Sequence, residues 1–131
     1  MFKVIAWSGM EEARIPIRFV IEGVGEARGE LVKVLAPRTV EAILRRLPLE
    51  GYAAIWKEEV YFKVPVELGP EKARTSAEAG DVAYWPMGSA ICVFLGESRP
   101  YSPVNLLGKI VENLEAFKRV KEGAKITLTK G

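Results

Sequence analysis

The sequence predicts a mainly β chain, folded as a closed or nearly closed antiparallel barrel with a helix at each end. Three observations predict it. The first is the stretch from Gly80 to Gly96, GDVAYWPMGSAICVFLG, whose residues 82–85 and 90–95 are aliphatic, aromatic or β-branched almost throughout. Both strands of that hairpin should therefore be covered on two faces, which places it at the centre of a sheet or barrel. The second is the number of short strand-like runs elsewhere in the chain. The third is that helical periodicity occurs in two places, after the first hairpin and before the last strand. Closure removes unpaired edges, and each helix stripe needs an apolar surface to cover. A ferredoxin-like split βαβ would leave several strands unassigned.

Taken in order, residues 2–7 read as an extra edge strand and 8–12 as a turn or loop. Residues 16–22 (PIRFVIE) and 30–35 (ELVKVL) form a hairpin through GVGEARG, whose glycines supply a turn or bulge. The spacing Gly23-x-Gly25-x-x-x-Gly29 is no dinucleotide loop, since a strand follows it and the third glycine is one place late. Pro37 opens a helix with Val40, Ile43, Leu44 and Leu47 on one face, and Pro48 stops it. Arg38, Glu41, Arg45 and Arg46 lie off that stripe and read as a solvated face.

Residues 52–57 (YAAIWK) and 60–68 (VYFKVPVEL) read as strands, although Pro65 cannot donate a ladder hydrogen bond and implies an edge or a bulge. The polar run 69–79 is an exposed loop. Pro86-Met87-Gly88-Ser89 makes the tight turn of the central hairpin, and 97–103 (ESRPYSP) is a short loop. Residues 104–111 are a strand interrupted by Gly108. Asn113 caps a helix with Leu114, Phe117 and Val120 buried, Gly123 ends it, and 124–129 (AKITLT) is the last strand.

At 131 residues the chain is one domain, 1–131, with 1–15 as an N-terminal strand and loop, and a globule of this size buries roughly two-thirds of its unfolded surface. A single cysteine, Cys92, excludes an intramolecular disulfide and suits a reducing compartment. The first residues resemble neither a signal nor a transit peptide, and no apolar run approaches the roughly 20 residues of a membrane span. A cytoplasmic location is expected. The 19 basic and 17 acidic residues, net charge +2, are spread along the chain, which argues against nucleic-acid and membrane partners. There is no histidine and no glutamine, asparagine occurs at 105 and 113 alone, and Asp81 is the one acid that is not glutamate. That bias is expected of proteins working at high temperature.

The succession GEARGELVKVLAPRTVEAILRRLP, IWKEEVYFKVPV, GDVAYWPMGSAICVFLG, SPVNLLGKIVENLEAFKRV and KITLTKG resembles the cyclophilin fold, most closely the small cyclophilin-like family of archaea and bacteria. The likeness extends from about Pro16 to the C-terminus. It implies an eight-stranded antiparallel barrel capped by two short helices. Isomerase cyclophilins use an arginine on the strand after the first helix, a glutamine and phenylalanines nearby, and a tryptophan and histidine from a later loop. A donor against the proline amide nitrogen weakens the C–N double bond and lowers a barrier of about 20 kcal/mol. In this chain Ser89-Ala90-Ile91-Cys92 stands where the resemblance expects Ser-Gln-Phe-Phe, Lys57 lies near the arginine position, and the loop 97–103 is too short to carry the tryptophan-bearing segment. Lysine is a point donor where arginine is a planar fork.

Without histidine there is no Ser-His or Cys-His nucleophile pair, and no Ser-x-x-Lys spacing occurs. Glu58 and Glu59 are adjacent near a strand and should point to opposite faces, so they do not form an acid/base pair. Asp81 reads as a turn former ahead of its strand and Cys92 as a core residue. No metal site and no cofactor are expected. The aromatics Trp56, Tyr61, Phe62, Tyr84, Trp85 and Phe94 lie on strands that the resemblance places around the cyclophilin groove, and most should be core. Trp56, Lys57, Tyr61, Phe62, Lys63, Trp85, Ala90 and Cys92 are the candidate groove, expected to be apolar with a cationic rim and roughly 300 Å³ in volume. The expected function is binding of a peptide or small molecule in a groove lacking the isomerase groups. The alternative is a weak prolyl isomerase using Lys57 or a backbone donor.

Overall fold

Alternation of apolar side chains along short antiparallel strands closes this chain on itself. A computed structural model describes residues 14–131, so the strand expected at 2–7 and the loop at 8–12 lie outside the described residues. The strands are β1 (Arg14–Ile21), β2 (Gly25–Val32), β3 (Leu49–Trp56), β4 (Glu59–Lys63), β5 (Asp81–Trp85), β6 (Ala90–Phe94), β7 (Asn105–Glu112) and β8 (Lys125–Lys130). They form a closed barrel in the order β1-β2-β7-β5-β6-β4-β3-β8, with β8 returning to pair β1 and every pairing antiparallel.

Inside the barrel Phe19 meets Phe62 and Phe117 edge to face, with centroids 6.4 and 5.3 Å apart, geometries that suit the ring quadrupoles. Helix α1 (Pro37–Arg46) buries Val40 and Ile43 against this core, and Leu44 and Leu47 pack at its margin. The central hairpin is covered on both faces, as its composition predicts: β6 is buried at every residue. One face looks into the barrel. The other joins a smaller cluster of Ala77, Ala83, Cys92, Phe94 and Val104 on the outside, with Tyr61 and Trp85 packed against it.

Several elements differ from the sequence expectation. Strand β2 begins at Gly25 and stops at Val32, and residues 33–35 form a 3₁₀ turn. The second capping helix is the 3₁₀ helix Leu114–Arg119 and not an α-helix. Asn113, at a left-handed φ of 68°, makes no side-chain cap, and its amide donates to the Glu26 carbonyl at 2.8 Å. Strand β4 ends at Lys63, before Pro65, because closure leaves this proline no edge to occupy.

From there to Gly80 the chain is a strap tied to the barrel. Tyr84, buried in the core, donates its hydroxyl proton to the Val66 carbonyl and accepts from the Leu68 amide at 3.1 Å. Ala36 cannot cap helix α1, so Glu71 does, 33 positions after Arg38. Its carboxylate accepts from the Arg38 and Thr39 amides at 3.0 and 2.9 Å and from the Thr39 hydroxyl at 2.8 Å. The buried Asn105 side chain accepts from the Glu71 amide at 2.8 Å and donates to Thr39 Oγ1 and the Gly69 carbonyl, both at 3.1 Å. The run 69–79 is thus largely exposed but anchored at both ends, with bridges from Arg74 to Val104 and from Ala77 to Ser98.

Burial pushes the Glu71 carboxyl up, but the hydrogen bonds from Arg38 and Thr39 and the Arg38 charge outweigh it and hold the group below its ordinary 4.5. Glu71→Ala should lower stability by about 1 kcal/mol at neutral pH, the typical worth of a helix cap. A carboxyl with a depressed folded pKa stabilises above its unfolded value, and that contribution is lost as pH falls through the folded one. The gap between urea melts of the two proteins should therefore be full at pH 7 and shrink progressively as pH falls below 4.5.

Candidate functional site

A cavity of about 170 Å³ opens outside the barrel over β4 and β5, lined by Trp56, Glu59, Tyr61, Trp85, Pro100, Tyr101 and Val104. Period two along β4 sends Val60 and Phe62 into the core and turns Glu59 and Tyr61 outward. The segment 97–104 then lies over that outward face and roofs it. Tyr61 meets Trp85 edge to face at 5.7 Å, and the Trp85 indole N–H donates to Ser102 Oγ at 2.5 Å. Trp85 is thereby held from both sides. Gly88 leaves room for the indole, since a Cβ there would overlap the ring. Tyr101, 75% exposed, stands at the mouth.

The cavity is smaller than the 300 Å³ expected of the groove. Ala90 and Cys92, expected in the groove, are fully buried and do not line the cavity. Its volume suits a single small ring.

The candidate residues divide accordingly. Trp56, Tyr61 and Trp85 come together in the cavity wall. Lys57, at a φ of 53° in the β3–β4 turn, lies outside it with its ammonium 4.7 Å from the centre of the Trp56 ring, a cation–π contact at the rim. Lys63 faces a shallow depression beside Glu50, Tyr52 and Ala54. Phe62 is inside the barrel core because its neighbours in β4 face out. Ala90 and Cys92 are outward but covered.

Glu59 is the residue that sequence reasoning did not select. It does diverge from the exposed Glu58, as strand geometry predicts. Its outward direction nevertheless leads beneath the roof, and Glu59 is only 4% exposed. Its Oε2 has no hydrogen-bond partner among the described residues. Among the described residues no lysine or arginine pairs with it. Burial pushes its carboxyl up to about 7, and the Cys92 thiol, as a hydrogen-bond donor, pulls only partly the other way. The same neighbourhood raises Cys92: burial first, then the Glu59 charge and hydrogen bond, keep it a protonated thiol and no nucleophile. Asp81 makes a local turn, accepting from the Glu78 amide at 2.8 Å. Among the described residues no three acidic or cysteine side chains converge as a metal site.

Residues 15–129 match the family model described as cyclophilin-like. The solution structure of a hypothetical protein from Archaeoglobus fulgidus is similar at 34% sequence identity, with a TM-score of 0.76 over 91% of this chain and 96% of that one. McbB, solved in complex with tryptophan, shares the fold at 16% identity and a TM-score of 0.69. That likeness covers 87% of this chain and 44% of McbB. No protein with a curated function matches this sequence.

Proposed function

The chain belongs to the cyclophilin-like family, and from that premise we propose that it is a binding domain whose aromatic cavity takes one apolar ring of a peptide or small molecule. The observation that carries this reading is the cavity wall itself: Trp56, Tyr61, Trp85 and Tyr101 converge on a space the size of a ring. Fixing these rings in advance by the Tyr61–Trp85 contact and the Ser102 hydrogen bond lowers the ordering cost of binding.

Isomerase chemistry finds little support in the same wall. It needs a donor aimed at a proline amide nitrogen, and among the lining side chains the acid is Glu59, an acceptor when ionised, while the O–H donors are the neutral Tyr61 and Tyr101 phenols. Lys57 spends its ammonium on the Trp56 face. Ala90 and Cys92, at the places where the resemblance to isomerase cyclophilins expects glutamine and phenylalanine, are buried and do not line the cavity. The reading also places the protein in a reducing cytoplasm at high temperature, supported by the buried free thiol and the scarcity of amide side chains. Among the described residues no helix is long and apolar enough to cross a membrane.

Exchange NMR of the labelled protein with a short Xaa-Pro peptide separates binding from catalysis. The expected result is shifts at the Trp56 and Trp85 indoles with the peptide's cis/trans exchange rate unchanged. Accelerated exchange that is lost in Lys57→Ala would establish an isomerase instead.

A further inference from the structure

The cavity contains one polar feature that an apolar ring alone leaves unsatisfied. Glu59 lines it with Oε2 buried and, among the described residues, unpartnered, and a buried acceptor without a partner costs free energy that a ligand donor can recover. The other ring-bearing walls favour positive charge as well. Faces of tryptophan and tyrosine attract ammonium groups, and Trp56 already holds the Lys57 ammonium at the rim. Of the donors in the wall, the Trp85 N–H is committed to Ser102, which leaves the weaker, neutral Tyr61 and Tyr101 hydroxyls for a ligand acceptor.

We infer that the ligand is an amine carried on an apolar ring, with the ring between Trp56, Tyr61 and Trp85 and the ammonium at the Glu59 carboxylate. This rests on the cavity reading above. An ammonium replaces the missing ion-pair partner of Glu59, whereas a carboxylate ligand would add a second negative charge to a site that already disfavours one. Once occupied, the pair is a desolvated, charge-assisted hydrogen bond, which is stronger than its exposed counterpart. The thiol of Cys92 remains on the protein side of the carboxyl and takes no part in ligand contact.

Three one-ring probes of similar size test this: 2-phenylethylamine, 2-phenylethanol and 3-phenylpropionate, titrated at pH 8, where Glu59 is ionised. The amine should bind at least tenfold more tightly than the alcohol, and the propionate more weakly than either. Glu59→Gln should erase the amine's advantage, while Glu58→Gln, on the exposed neighbour, should keep it. Equal binding of amine and alcohol to the native protein overturns the inference and leaves the ring-binding reading standing, without recourse to any variant. An amine preference that survives in folded Glu59→Gln also overturns it. If none of the three binds, the cavity reading falls with it.

Discussion

Glu59→Gln is expected to make the protein more stable at pH 8, by roughly 3 kcal/mol, and to leave it nearly unchanged at pH 4.5. The carboxyl sits at about 7 in the fold against an ordinary 4.5, because its charged form is buried with no counterion among the described residues. An acid whose folded pKa is raised binds more protons folded than unfolded between those two values. Its favourable contribution is therefore present below about pH 4.5 and is lost as pH rises to about 7. Above that the native protein carries the cost of a buried carboxylate that the Cys92 thiol offsets only in part. Glutamine keeps the shape and an acceptor for Cys92 but has no charge to bury. Urea denaturation of both proteins from pH 4.5 to 8 reads the difference directly. A constant difference across that range would show that Glu59 does not titrate in the cavity. A carboxylate retained at such a cost is the pattern expected of a functional site.

The second large effect is Gly108→Ala, which should cost about 3 kcal/mol or more and lower the melting temperature by roughly 10 °C. Gly108 lies in β7 opposite Leu31 of β2 and Val82 of β5, so backbone approaches it from both sides. A Cβ there would overlap the Glu30 carbonyl oxygen and come within 2.9 Å of Leu31 Cα. Neither atom belongs to a side chain that can swing away, so the barrel wall itself must move. Gly23→Ala makes a useful contrast. Nothing stands within 4 Å of a Cβ at Gly23, whose φ of 78° adds backbone strain alone, and the cost should be about 1 kcal/mol. Equal losses at the two sites would argue against the close β2–β7 approach.

The barrel was legible because its signals are local or periodic. The central hairpin announces its two covered faces by composition, and the stripe Val40-Ile43-Leu44-Leu47 announces α1. Gly108 does not interrupt its strand as the sequence suggested, since β7 runs unbroken from Asn105 to Glu112; the glycine marks a close backbone contact instead. Residues 64–68 misled because VPVEL alternates like a strand while Val64 and Val66 bury as parts of a strap, a matter of what lies across the barrel and not of period. Leu114, Phe117 and Val120 carry a spacing that a tight 3₁₀ helix satisfies as well as an α-helix.

The site was half legible. Trp56, Tyr61 and Trp85 follow from aromatic enrichment on adjoining strands. Glu59 does not, since strand parity says outward and only the fold of 97–104 over β4 makes that direction a buried one. A trace of the roof was present in the sequence: Ala83, Cys92 and Phe94, all on the outward parity of β5 and β6, are too apolar for a solvated face.

The measurement that tests this account most directly is a chemical-shift map of the protein titrated with a single-ring amine such as 2-phenylethylamine. The side-chain signals of Trp56, Tyr61, Trp85 and Tyr101 and the Glu59 carboxyl should move together with one saturation curve, while α1 and the Leu114–Arg119 helix stay still. Saturable shifts centred anywhere else on the barrel, or none at all, would contradict it.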